Sequence, residues 1–232
     1  MNIAIIPARS GSKRIPLKNI KIFIDKPMIA FAINCARKSN LFEHILVTTD
    51  DEKISRIAKD YGAEAPFLRP QTLADDITPT VPVIQHAILE CLKLGWDITN
   101  VCSIYPATPF MQTDDLINGL SLLNKNPSKY IFPVTEYSSP IQRALKLSGN
   151  GFIEPFYSEF ALTRTQDLEP SFFDVGQFYW AKKETWLNEK NIHQNALGIK
   201  IPNWRGVDID NFDDWKKAEL IYKVFKEDIS WL

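Results

Sequence analysis

Asn2-Ile3-Ala4-Ile5-Ile6-Pro7-Ala8-Arg9-Ser10-Gly11-Ser12-Lys13-Arg14-Ile15-Pro16-Leu17-Lys18-Asn19 runs from a β-branched apolar segment straight into a loop crowded with cations. A continuous apolar run closed by proline suits a strand covered on both faces, as parallel strands are. Residues 2–7 therefore read as the first strand of such a sheet. Arg9, Lys13, Arg14 and Lys18 fall within ten residues of a chain whose formal net charge is only -1. The positive potential is local, and it suits a small polyanion.

Outward from this stretch, strand and helix patterns alternate. Pro27 suits a first helical position, with Met28, Ile29, Ala32, Ile33, Cys35 and Ala36 forming an apolar face and Arg37 and Lys38 in the last turn. Residues 45–49 read as a strand and 52–61 as a helix stopped by Gly62. Ala65-Pro66-Phe67-Leu68 continues the strand rhythm, followed by a helix over 82–94 stopped by Gly95 and a strand over 101–105. Thr113 is placed to cap a helix reaching Leu123, with Asp114 and Asp115 at its positive end, and 130–134 is another strand. Strands alternating with helices predict a three-layer α/β/α, Rossmann-like fold with a mostly parallel sheet and ligands at the carboxyl ends of the strands.

The rhythm breaks over 136–170, where Leu145 to Ile153 reads as a β-hairpin around Gly149-Asn150-Gly151. This segment is expected to be an insertion in a single domain spanning 1–232. Gln177 to Ala181 resumes the sheet, 197–201 adds a strand, and Asp213 is placed to cap a last helix with Trp215, Ala218, Leu220, Ile221, Val224 and Phe225 on or near its buried face.

At 232 residues the chain suffices for one core, and 45% hydrophobic with 24% charged residues is ordinary composition. The near-neutral balance argues against a nucleic-acid or membrane-surface binder. Cys35, Cys91 and Cys102 have no zinc-like or disulfide-framework spacing and read as reduced core residues. His44, His86 and His193 likewise have no metal-like spacing. With no charged leader before the first strand and no long apolar run, the expected compartment is the cytoplasm.

Neither G-x-x-x-x-G-K-[ST] nor G-x-G-x-x-G is present, which argues against P-loop and dinucleotide-binding chemistry. Ser10-Gly11-Ser12 instead offers small residues whose backbone can approach a phosphate chain, with Arg9 and Lys18 as flanking clamps. A solvated basic turn is the alternative. Asp208 and Asp210, two positions apart on an extended segment, point to one side. Two such carboxylates suit magnesium completed by phosphate oxygens, or else belong to a charge cluster with Asp213 and Asp214 ahead of the last helix. Arg69-Pro70 and Leu73 to Thr80 form a polar turn that could bond a base or ribose, or be a plain loop. No G-x-S-x-G supports a serine hydrolase.

Ile6 to Ile20 closely resembles the signature of the cytidylyltransferases that activate sialic-acid-like sugars. Arg69-Pro70 with Leu73-Ala74-Asp75-Asp76, Pro106-Ala107-Thr108-Pro109 and Asp208-Ile209-Asp210 appear in the order found in that family. Residues 163–168 and 173–180 look most like the branch acting on pseudaminic acid, with N-acetylneuraminic or legionaminic acid as alternatives. Lys18-Asn19-Ile20 departs from the Lys-Pro-Leu usual in Kdo enzymes.

The resemblance implies transfer of CMP from CTP to the anomeric hydroxyl of a nine-carbon acidic sugar, with Mg2+, in a homodimer whose insertion reaches over the partner's site. A non-catalytic nucleotide-binding module is the alternative of a different class. The resemblance also implies that Ala8, Arg9, Ser10, Gly11, Ser12 and Lys18 hold the triphosphate, and that Asn19, Arg69, Asp76, Thr78 and Thr80 lie near the cytidine. Asp208 and Asp210 would hold the metal, and with Arg9 and Lys18 would serve catalysis. Tyr105, Arg164, Gln166, Gln177 and Tyr179 would face the sugar.

Overall fold

The computed structural model describes residues 1–227. Strand β1 (Asn2–Pro7) leads into the basic loop and a small ribbon, β2 (Ile22–Phe23) and β3 (Lys26–Pro27), before α1 (Met28–Ser39). There follow β4 (His44–Thr48), α2 (Glu52–Asp60), α3 (Thr80–Lys93), β5 (Asn100–Ile104), α4 (Thr113–Lys125) and β6 (Tyr130–Glu136). The chain then forms β7 (Leu145–Leu147), β8 (Ile153–Pro155), β9 (Phe172–Asp174), β10 (Phe178–Lys182), α5 (Lys183–Asn188), β11 (Ala196–Lys200) and α6 (Phe212–Glu227).

The main sheet runs β11-β6-β10-β5-β1-β4, with β9 paired to β6. Strands β4 and β5 lie parallel to β1, and β11 parallel to β6. Strand β10 is antiparallel to β5 and β6, and β9 antiparallel to β6, so the sheet is mixed, with its parallel part around β1.

Successive β1 side chains enter opposite faces, as the two-residue period requires. Ala4 and Ile6 pack in one core with α1, α2 and α4, while Ile3 and Ile5 pack in the other with α3 and Trp186 of α5. Buried on both sides, β1 makes the two-layer covering possible. A third cluster joins Ile15 of the basic loop to Phe23, Phe31, Ile209, Trp215 and Ala218. It seats α6, and with it the acidic segment, against the loop after β1.

Several local expectations are corrected. Ala65-Pro66-Phe67-Leu68 forms no strand; only Glu64 bridges to Leu46. Pro27, at φ -55° and ψ 141°, stands just before α1 and not inside it. Thr113 is the first residue of α4, after a Gln112 cap position without a side-chain bond. Asp115 is not merely a favourable charge at a helix start, since it is buried against Arg205. The cap before α6 is Asn211, whose Oδ1 accepts from Asp213 N–H at 2.8 Å and Asp214 N–H at 3.0 Å. Leu220 and Val224 are exposed, not buried. The hairpin at 145–155 forms as expected, with Gly151 at φ +87°. All three cysteines are buried free thiols.

Candidate active site

Strand β1 ends at Pro7, and the loop after it forms one wall of a cleft of about 320 Å³, within the range of about 300–1,000 Å³ usual for small-molecule sites. Arg9, Ser12, Lys13, Arg14, Lys18 and Asn19 line that wall. Arg69, Asp76, Thr78, Thr80, Tyr105 and Asp210 line the rest. Residues separated by up to 201 positions thus converge at the carboxyl end of the central strands, where an open parallel sheet leaves its crevice.

The loop is shaped by buried groups beneath it. Asp50, two residues beyond β4, accepts from the backbone N–H of Ser10 at 3.1 Å and from its hydroxyl at 2.7 Å. Arg69 lies 3.8 Å from the same carboxylate, and both side chains are almost fully buried. Burial holds the Arg69 guanidinium below its ordinary pKa, opposed by the charge of Asp50. The Asn19 amide donates to the carbonyl of Arg9 at 3.0 Å, closing the loop on itself.

Each cation of the loop has an internal counter-charge. Arg9 meets Asp76 at 2.8 Å and also donates to the carbonyl of Asp75, while Lys13 meets Asp76 as well. The Lys13 contact, then Arg9, holds the Asp76 carboxyl below its usual range. Arg14 meets Asp210 at 2.8 Å, and Lys18 approaches Asp210 at 3.7 Å while donating to the Ile209 carbonyl at 2.7 Å. Desolvation lowers the Lys18 pKa, opposed by Asp210 and Asp208.

Asp208 is exposed as a residue, yet its carboxyl is pushed up, first by desolvation and then by the charge of Asp210. A divalent cation would relieve that repulsion. Among the described residues no group of three or more His, Cys, Asp or Glu clusters as a metal site, so a metal here would need ligand oxygens besides the two carboxylates.

The segment carrying these aspartates is braced from behind. Arg205 forms a buried fork onto Asp115, with Nη2 to Oδ1 at 3.2 Å. The Gln177 amide donates to the carbonyl of Arg205 at 2.8 Å. Gly206 packs so closely that an added Cβ would sit 2.7 Å from Thr135 Cγ2.

Several predicted residues do not line the cleft. Ala8 is buried beneath the loop, Ser10 is turned to Asp50, and Gly11 is exposed with open space around it. Gln177 is buried as a backbone anchor. Tyr179 is buried with its hydroxyl donating to Asp174 at 2.8 Å. Arg164 and Gln166 are exposed in the 136–170 segment, and Arg164 pairs locally with Asp167 at 2.7 Å. Asp50, Asp75, Asp115, Asp174 and Arg205 were missed. Asp50, Asp115 and Arg205 act through contacts distant in sequence, which no local motif marks, whereas Asp75 and Asp174 lie inside segments that carry the family resemblance but were given no role of their own.

The chain has a three-layer α/β frame with its cleft at the carboxyl ends of the central strands. Residues 3–148 match the family model described as cytidylyltransferase, and the chain belongs to that family. It is 37% identical over 227 residues, 97% of this chain and 98% of the other, to the pseudaminic acid cytidylyltransferase of Campylobacter jejuni subsp. jejuni. It is 32% identical to the N-acylneuraminate cytidylyltransferase of Escherichia coli, over 94% of this chain and 51% of the other. The solved structure of a CMP:2-keto-3-deoxy-manno-octonic acid synthetase complexed with CTP shares the fold, with TM-score 0.69 at 14% identity over 96% of this chain and 98% of that one. No helix among the described residues is long and apolar enough to cross a membrane.

Proposed function

We propose that the chain transfers CMP from CTP to the anomeric hydroxyl of a nine-carbon acidic sugar, pseudaminic acid. The sugar oxygen forms a bond to the α-phosphorus, the bond from that phosphorus to the β-phosphate bridge breaks, pyrophosphate leaves, and the hydroxyl proton passes to water. The observation carrying this reading is the convergence of Arg9, Lys13, Arg14 and Lys18 on Asp76 and Asp210 across one cleft. Such transfer demands positioning and charge neutralisation more than covalent participation by the protein.

Arg9, Ser12 and Lys18 hold the triphosphate, leaving Asp76 and Asp210 as the internal charges that ligand binding redistributes. Asn19, Arg69, Thr78 and Thr80 lie toward the nucleoside, and Tyr105 toward the sugar. Asp208 and Asp210 offer the hard oxygen donors magnesium takes, and their mutual repulsion fits such an ion. When bound, magnesium supplies charge neutralisation at phosphate oxygens.

The reading includes a homodimer in the cytoplasm, formed through the 136–170 segment. Leu147, Phe152 and Ile153 are 75%, 71% and 62% exposed on its hairpin, which supports a contact surface there. Arg164 and Gln166 would then serve the partner's site.

Pyrophosphate release measured with CTP and a panel of pseudaminic, N-acetylneuraminic and legionaminic acids tests the reading. Fastest release with pseudaminic acid is expected. Release with none of them would leave only nucleotide binding, and a preference for another sugar would overturn the substrate assignment.

A further inference from the structure

Thr48, Thr49 and Asp50, at and just beyond the end of β4, hold both the basic loop and Arg69. The Thr48 carbonyl accepts from the Ala8 N–H at 3.0 Å, and the Thr49 carbonyl from the Arg69 N–H at 2.7 Å. Asp50 adds its side chain, with Oδ1 accepting from the Ser10 N–H and Oδ2 from the Ser10 hydroxyl. Capping of α2 does not require Asp50, because Asp51 Oδ1 already accepts from the Lys53 N–H at 2.7 Å and the Ile54 N–H at 3.0 Å. The Asp50 carboxylate therefore serves the cleft and not the helix that follows it.

The same carboxylate faces Arg69, and the two side chains are only 4% and 3% exposed. A guanidinium buried that deeply is costly unless a counter-charge offsets it. Among the described residues Asp50 is the only carboxylate in ion-pair contact with it. At 3.8 Å that contact is longer than a hydrogen bond, so the attraction is one of charges, strengthened by burial. It leaves the fork of guanidinium donors unoccupied. None of those donors is hydrogen-bonded to another described residue, and Nε is buried without a partner. Arg69 also lines the cleft, so it is seated there with its outer donors open to an acceptor on a ligand.

We propose that Asp50 is a positioning residue whose charge keeps Arg69 seated in the cleft with its donors free for the nucleoside end of the bound nucleotide, while its hydrogen bonds to Ser10 fix the loop at the phosphate end. This rests on the cytidylyltransferase reading for the identity of the nucleotide. Asp50→Asn separates the two tasks. The amide can still accept from the Ser10 N–H and donate to the Ser10 hydroxyl oxygen, but it carries no charge for Arg69.

The test is calorimetry on the full chain with two probes, CTP and inorganic tripolyphosphate, the second of which reports the phosphate end alone. Asp50→Asn should weaken CTP binding about tenfold, as expected for one charge-assisted hydrogen bond misplaced, and leave tripolyphosphate binding unchanged. A residue that merely supported the fold would weaken both alike. Arg69→Met should weaken CTP binding at least as much, and the double variant should bind CTP no more weakly than Arg69→Met alone. Equal losses for the two probes, wild-type CTP affinity in Asp50→Asn, or losses that multiply in the double variant would overturn the proposal. Should Asp50→Asn fail to fold, the double variant, which buries no unpaired charge at this position, carries the comparison with Arg69→Met. Wild-type protein that binds no CTP overturns both readings, whereas CTP binding without pyrophosphate release overturns the catalytic reading alone.

Discussion

The ammonium of Lys18 lies 3.7 Å from the carboxylate of Asp210 and donates to the preceding carbonyl, that of Ile209, at 2.7 Å. One side chain thereby ties the loop after β1 to the acidic segment before α6. Lys18→Ala should loosen that tie and remove a cation from the cleft wall proposed to hold the triphosphate. Turnover is expected to fall 10² to 10³-fold, or about 2.7–4 kcal/mol, with weaker CTP binding. Steady-state pyrophosphate release and calorimetry check this, and unchanged values in both would remove Lys18 from the clamp.

The buried pair Arg205–Asp115 supports the same segment from the opposite side. Removing one partner leaves an uncompensated buried charge, so Asp115→Ala and Arg205→Ala should each cost about 3–5 kcal/mol. In a chain of this size that lowers Tm by roughly 6–20 °C, which a calorimetric melt would read. A change of a degree or two would mean that solvent reaches the pair.

Helix α4 approaches the sheet at Gly119, where an added Cβ would meet Trp180 Cδ1 at 2.7 Å and Phe178 at 3.1 Å. Gly119→Ala should destabilise by about 1–3 kcal/mol through overpacking, despite the better helix propensity of alanine. Gly149→Ala, with nothing within 4 Å, is the neutral control. Urea unfolding should show a lower midpoint at unchanged slope for the first alone.

Leu147, Phe152 and Ile153 give the dimer its test. Leu147→Glu places a charge on the exposed apolar hairpin, and sedimentation is expected to report a monomer for the variant and a dimer for the wild type. A monomeric wild type would remove the hairpin's assigned role, and with it that of Arg164 and Gln166.

Wherever packing follows local pattern, the fold was legible in the residues. The apolar run at Asn2–Pro7, the helix from Met28 and the Gly-Asn-Gly hairpin each carry their cause within a few positions. The convergence of Arg9, Lys18, Arg69 and Asp210 on one cleft followed from the carboxyl-end rule for open sheets, because each lies on a loop between elements. What escaped was set by distant partners. Gln177 sits beside the cleft in sequence logic, but its amide is claimed by the Arg205 carbonyl. Ser10 belongs to the loop, yet Asp50 turns its hydroxyl inward. The cap of α6 is Asn211 and not Asp213, because the helix already begins at Phe212 and the Asp213 N–H is itself one of the orphan groups that Asn211 satisfies.

Asp210 is where the two halves of the site meet, in contact with both Arg14 and Lys18. Pyrophosphate release by Asp210→Ala with CTP and pseudaminic acid, beside a melt showing an intact fold, therefore tests the account most directly. The expected result is a fall of about 10² to 10³-fold in turnover. Release at the wild-type rate would contradict it, because the acidic segment would then have no part in the chemistry.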